Sequence, residues 1–336
     1  MNAHTPDALT VLHAPGRRLA KLLHPDGRAD GYDRTRTVNA HAVPVADLAA
    51  IGALLHRLLH RPACCIVRGG LLAGDRATGI RRLLYPCKRT GELPTMQDVP
   101  RRWVALDMEG IALPLDVPAA DLAGCARVAL ATLPAAFRGA ACIVQASASH
   151  GLRPDLRLRL WLWLDRPAWG RELKRWLADT PADPSVFGAV QPIYTAAPVL
   201  ASGMADPLPR RLLALPGIPA GATVPVPPPE ALAPPPCAPT PPMEMHPMQA
   251  DRYTRAVLEA AAGRILTATK RHPTLIAEAR NLARFVNAGL LTTSDMRTVL
   301  TRAAEQAGKD DAAEVAACID WGLDNPASGA VPVVRA

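Results

Sequence analysis

Residues 102–109, RWVALDME, decide how the fold is read. Four apolar residues, Trp103 to Leu106, run without a break into Asp107 and Glu109. That pattern predicts a strand leaving a hydrophobic interior for solvent. Side chains two apart in a strand share a face, so the two carboxylates point the same way. Like charges so placed repel unless a cation lies between them, and a hard divalent ion is the natural partner. An isolated Asp-x-Glu of this kind is, however, more often a strand end that simply faces water.

Outward from this stretch, short apolar runs bounded by Pro, Gly or charge predict further strands: CCIVRG at 64–69, ACIVQAS at 141–147 and LRLRLWLWLD at 156–165. Residues 45–60, 118–133 and 168–178 read as helices among them. Mixed strands and helices in this order imply an α+β domain with antiparallel or mixed pairing. In 156–165 the leucines occupy one face, while Arg157 and Arg159 occupy the other and Trp161 and Trp163 continue it. The arginine face reads either as a cation–aromatic strip able to meet phosphates and bases or as the wet side of a half-buried strand. The turn SASHG at 147–151 offers Ser149 and His150 for triphosphate contacts, or is only a loop. Asp183, in PADPSVFG, sits beside a proline, where aspartate ordinarily serves turn geometry.

Between Pro225 and Pro247, 11 of 23 residues are proline, a composition suited to an extended linker. The expected organisation is therefore a domain at 1–218, a proline-rich linker at 219–249 and a second domain at 250–330. The second domain has amphipathic helical stretches at 251–269, 273–288, 293–307 and 311–323, a pattern for a small all-α bundle. Gly289 is placed to stop one helix, and Thr293 or Ser294 to cap the next.

The formal charge of +8 is concentrated in residues 1–218, with 27 basic against 18 acidic groups, whereas residues 250–336 have 11 against 10. A basic first domain suits a polyanionic partner. The spacing of seven cysteines without a CxxC pair fits neither a disulfide framework nor a zinc site. No apolar run nears the roughly 20 residues of a membrane span, and the expected location is the cytoplasm. The phosphate-loop pattern GxxxxGK[ST], the G-x-S-x-G elbow and HEXXH are absent from the sequence.

The order VALDME, then LRLRLWLWLD, then ADPSVFGAVQPIYT resembles the three motifs of archaeo-eukaryotic primases. In that family a strand ending in Asp-x-Asp/Glu precedes a strand with Ser-x-His and a later hydrophobic-Asp. The resemblance implies that Asp107, Glu109 and Asp183 hold Mg²⁺ or Mn²⁺. It also implies that Arg157, Arg159, His150 and Ser149, with Arg68 in CCIVRGG, meet the incoming nucleotide. The second motif departs: Arg157-Leu158-Arg159 stands where Ser-x-His is expected. GRRLAKLLHPDGRADGYD, DPLPRRLLALPG and the tail RNLARFVNAGLLTTSDMRTVLTRAAEQAG are similar to primases of plasmids, phages and integrative elements. The implied activity is primer synthesis from nucleoside triphosphates on single-stranded DNA, with a replicative helicase as a further partner. The alternative is a non-catalytic DNA-binding replication initiator on the same fold, or a different metal enzyme such as a nuclease.

Overall fold

The run at 102–109 extends to a strand of 12 residues, Arg101–Ala112, in the computed structural model, which describes residues 7–26, 28–87, 89–234 and 244–334. The chain is of mixed α and β class and divides into two compact units, Met1–Ala233 and Pro234–Ala336.

The first unit is built on two four-stranded antiparallel sheets. One contains β1 (Asp7–His13), β2 (Val38–Val45), then, after helix α1 (Leu48–Leu59), β3 (Cys64–Val67) and β4 (Arg76–Ile80), in the order β3-β1-β2-β4. The other contains β5 (Arg101–Ala112), then, after helix α2 (Leu122–Ala131), β6 (Cys142–Ala146), β7 (Asp155–Ala168) and, after the short helix α3 (Gly170–Trp176), β8 (Leu212–Leu215). Its order is β8-β6-β7-β5. Neither β1 nor β2 stands out in the sequence, because VNAHAVPV alternates weakly and carries Pro44.

Helix α1 starts where Asp47 accepts the Ala50 N–H at 2.8 Å. Its stripe of Ile51, Leu54, Leu55 and Leu58 is buried in one core with Leu9, Val45 and Ile143, so it packs between the sheets. Each such side chain contributes about 1.5–3 kcal/mol of transfer free energy. Gly52 lets α1 approach closely: a Cβ there would lie 3.0 Å from Ile143 Cδ1.

Strand β7 is covered on both faces. Leu156, Leu158, Leu160, Leu162 and Leu164 are fully buried on one side. On the other, Trp161 is fully buried as well, with its indole N–H donating to Gln145 Oε1 at 3.0 Å and its ring tilted against Trp103. Of the two readings of that face, neither the cation–aromatic strip nor the wet side holds at Trp161. Trp161 is core and Trp163 is half-buried, because a large indole in a two-faced sheet gains more from apolar burial than from exposure.

The β5–β7 register shifts between Leu156 and Arg157, with Gly110 left over on β5 at φ +74°. This bulge sets Glu109 opposite Arg157 and Asp107 opposite Arg159. Gly110 has open space around it, so only its backbone angle restricts it. Gly110→Ala is expected to cost about 1–2 kcal/mol, read as a lower urea midpoint with an unchanged slope.

The proline-rich segment departs from the expected linker. Val224 is fully buried and joins the sheet beside Leu164, with Asp165 N–H and Val224 C=O paired at 3.0 Å. Arg166 donates to Pro227 C=O and Arg175 to Leu232 C=O. Residues 219–233 thus belong to the first unit. Prolines suit an edge because their missing N–H groups are not needed there. Residues 235–243, including Cys237, lie outside the described residues.

In the second unit α4 (Pro247–Thr267), α5 (Arg271–Asn287), α6 (Thr293–Gln306) and α7 (Ala312–Asp324) enclose Leu258, Ile265, Leu275, Leu282, Met296, Leu300 and Ile319. Gly289, at φ +71°, follows α5. The cap of α6 falls on Thr292, one residue earlier than expected, where its hydroxyl accepts the Asp295 N–H. Among the described residues no helix is long and apolar enough to cross a membrane.

Candidate functional site

Register brings the two sequence motifs face to face. Asp107 Oδ2 receives Arg159 Nη2 at 2.7 Å, and Glu109 Oε2 receives Arg157 Nη1 at 3.1 Å. Arg157 Nε lies 3.0 Å from Asp155 Oδ2, close enough for an ion pair but not aligned for a hydrogen bond. The cation that two neighbouring carboxylates require is supplied by the arginines of the adjoining strand. Sequence spacing shows the carboxylates alone; strand pairing shows their partners.

Asp183 arrives from the other side. Its N–H donates to Asp107 C=O at 2.9 Å, and Ala182 bridges Met108, so the 182–183 backbone lies along β5. Its carboxylate caps the turn that follows, accepting Ser185 N–H at 2.8 Å and Ser185 Oγ–H at 2.7 Å. The structure therefore places Asp107, Glu109 and Asp183 on adjoining backbone. Among the described residues, however, their carboxylates do not form a cluster with oxygens within 4.8 Å of one another. Asp107 Oδ1 is buried without a hydrogen-bond partner. A hard divalent ion suits that orphaned oxygen and this all-carboxylate donor set, with the arginine pairs and the Asp183 cap as what must give way.

The remaining sequence candidates are placed differently. His150 is fully buried; its Nε2–H donates to Ala119 C=O at 2.9 Å and its Nδ1 accepts Arg157 N–H at 3.3 Å. That pattern fixes a neutral imidazole that holds the 147–152 turn against β7 and leaves no ring nitrogen for a nucleotide. Burial pushes its pKa below the ordinary value of 6.5, and the Ala119 carbonyl opposes this. The unfolded chain then takes up the proton first on acidification, so stability present above pH 6.5 is lost as pH falls through that value. Replacing His150 with glutamine is expected to flatten the fall in Tm between pH 7.5 and 5 relative to wild type, at the cost of a lower Tm at pH 7.5. Ser149 is half-buried in the same turn, its C=O accepting Leu152 N–H. Arg68 is 1% exposed, donates to Trp103 C=O at 2.7 Å and Ala168 C=O at 2.6 Å, and lies over the Trp103 ring. It is a core residue, not a surface for phosphate.

Three further features surround these residues. Tyr32 and Tyr194 stack with ring centroids 3.4 Å apart, and Arg159 Nη1 donates to Tyr194 C=O. Burial drives the Tyr32 hydroxyl up to about 12, with Arg159 opposing and Tyr194, Asp107 and Glu109 reinforcing, so the ring stands within the field of the carboxylates. Beside this stack opens a cavity of about 350 Å³ lined by Tyr32, Arg34, Thr35, Arg82 and Tyr194 among others. Finally, Arg211 forks onto Asp206 at 2.6 and 2.8 Å and donates to Ser147 C=O, bracing the 147–152 turn.

No family model, curated protein or solved structure matches this chain. The functional reading therefore rests on the chain's own residues.

Proposed function

We propose that the chain is a metal-dependent nucleotidyltransferase that synthesises short primers on single-stranded DNA from nucleoside triphosphates, as archaeo-eukaryotic primases do. The observation that carries this reading is the Asp183 N–H to Asp107 C=O bond, which sets the backbone of a third carboxylate residue against the Asp107/Glu109 strand end. Asp107, Glu109 and Asp183 would hold Mg²⁺ or Mn²⁺, which supplies activation of the attacking 3′-hydroxyl and neutralisation of the triphosphate. With Asp107 and Glu109 given to such an ion, Arg159 and Arg157 would be free to meet phosphate oxygens, so that every charge stays paired. The cavity beside Tyr32 and Tyr194 is within the size range of small-molecule sites and offers aromatic faces and arginines for the nucleoside. The basic first unit suits the template strand. The near-neutral helical unit suits a protein partner such as a replicative helicase, in a plasmid, phage or similar mobile element.

One observation favours a second reading. Both carboxylates of the pair are already ion-paired with arginine, and Asp183 is held by Ser185. A non-catalytic DNA-binding replication initiator on this fold would keep such pairs as structure. Incubation with single-stranded DNA, labelled nucleoside triphosphates and Mg²⁺ or Mn²⁺ separates the two. Short products that need the metal support the polymerising reading. DNA binding without products, indifferent to metal, supports the initiator.

A further inference from the structure

The second unit holds a ligand constellation unrelated to the carboxylates of the first. His272 lies in the first turn of α5, while Glu314 and Cys318 lie four apart on α7 and so share a face. The two helices touch closely enough that a Cβ on Gly322 would lie 2.5 Å from Ala279 Cβ. His272 Nδ1 is 2.6 Å from Glu314 Oε1 and 3.6 Å from Cys318 Sγ, and the three ligand atoms all fall within 4.8 Å of one another.

We propose that His272, Glu314 and Cys318 bind a Zn²⁺-type transition-metal ion that staples the start of α5 to α7. The imidazole and the thiolate are borderline and soft donors that favour zinc over Mg²⁺ or Ca²⁺, and zinc accepts a carboxylate oxygen beside them. Zn–N of about 2.0 Å and Zn–S of about 2.3 Å at a tetrahedral angle place nitrogen and sulfur roughly 3.6 Å apart, the separation already present here. The Glu314 oxygen has to open from its hydrogen bond to His272 by a fraction of an ångström. Three protein ligands leave a fourth position for water. Thiolate and carboxylate balance the two charges of the ion, and Lys309 Nζ, 2.6 Å from the same Glu314 oxygen, would pass to the other carboxylate oxygen when the ion is held. The site has a structural purpose as well. The N-cap of α5 is Lys270, which makes no side-chain capping bond, so metal ligation by His272 anchors a helix end that is otherwise uncapped.

The test is titration of the full-length, chelator-stripped protein with Co²⁺ and Zn²⁺. Co²⁺ is expected to give a thiolate charge-transfer band saturating at one equivalent, displaced by Zn²⁺ and indifferent to millimolar Mg²⁺. Cys318→Ser is expected to remove the band. His272→Ala, at an exposed position, is expected to weaken Zn²⁺ binding by at least about tenfold while the far-ultraviolet circular dichroism stays unchanged. Zn²⁺ is also expected to raise the Tm of wild type and not of either variant. A band that survives Cys318→Ser would assign the metal to another cysteine. Absence of any thiolate band would leave His272, Glu314 and Lys309 as an ion-pair network. Either result overturns the proposal.

Discussion

Alanine at Asp107 is expected to lower metal-dependent primer synthesis by roughly a thousandfold or more. Losing a carboxylate that holds a catalytic ion removes several kcal/mol of charge stabilisation, and each 1.36 kcal/mol is a factor of ten in rate. The same change strips Arg159 of its ion-pair partner, and the Arg159 side chain is only 10% exposed. Breaking one side of such a pair costs about 3–5 kcal/mol where the remaining charge stays buried. Here the retained bond from Arg159 to Tyr194 C=O reduces that cost. Asp107→Asn separates the two effects, since the amide oxygen still accepts from Arg159 while the charge is gone. Both variants are expected to lose synthesis, with asparagine retaining more of the Tm. Activity persisting in Asp107→Asn with an unchanged metal requirement would remove Asp107 from the metal site and with it the primase reading. Wild type without products, but with DNA binding that neither variant disturbs, would establish the initiator reading.

The pairing that makes this prediction two-sided could not be read along the chain. Period-two alternation shows that Asp107 and Glu109 share a face, and it shows the same for Arg157 and Arg159. Which residue faces which depends on register across about 50 residues of intervening chain, and the register depends on one bulged glycine, Gly110. The strands at 102–109, 141–147 and 156–165 were legible because buried apolar runs bounded by charge carry a local signal. The four helices of the second unit were legible for the same reason, through their 3.6-residue stripes. Strands β1 and β2 were not, since their burial comes from neighbours on both sides rather than from their own pattern. The early part of the proline-rich segment misled for a related reason. Composition fixes its extended backbone but not whether that backbone floats free or, as Val224 does, lies on a sheet edge. His150 shows the limit most clearly, because a histidine in a polar turn looks available until Ala119 and the Arg157 backbone are seen on its two nitrogens.

Arg68 supplies the second large effect, this time on stability. Its guanidinium is enclosed, and burial, helped by nearby Arg101, lowers its pKa to about 10, so it still carries charge at neutral pH. Two charge-assisted bonds to the Trp103 and Ala168 carbonyls and the Trp103 ring hold it there, while its Nε has no partner. Those contacts tie β3 to β5 and to the end of β7, the strands that carry the carboxylates and their arginines. Arg68→Ala removes them, leaves two buried carbonyls without donors and opens a cavity, for an expected loss of about 3–5 kcal/mol. Arg68→Met refills most of the space and removes the cost of burying a charge, so it is expected to lose less than the alanine variant. Urea unfolding of the two variants measures this. The methionine variant also separates structure from chemistry: per folded molecule it is expected to retain nucleotide affinity. A rise in the triphosphate Kd by tenfold or more without loss of stability would mean that the Arg68 pocket opens in solution and that the side chain meets phosphate after all.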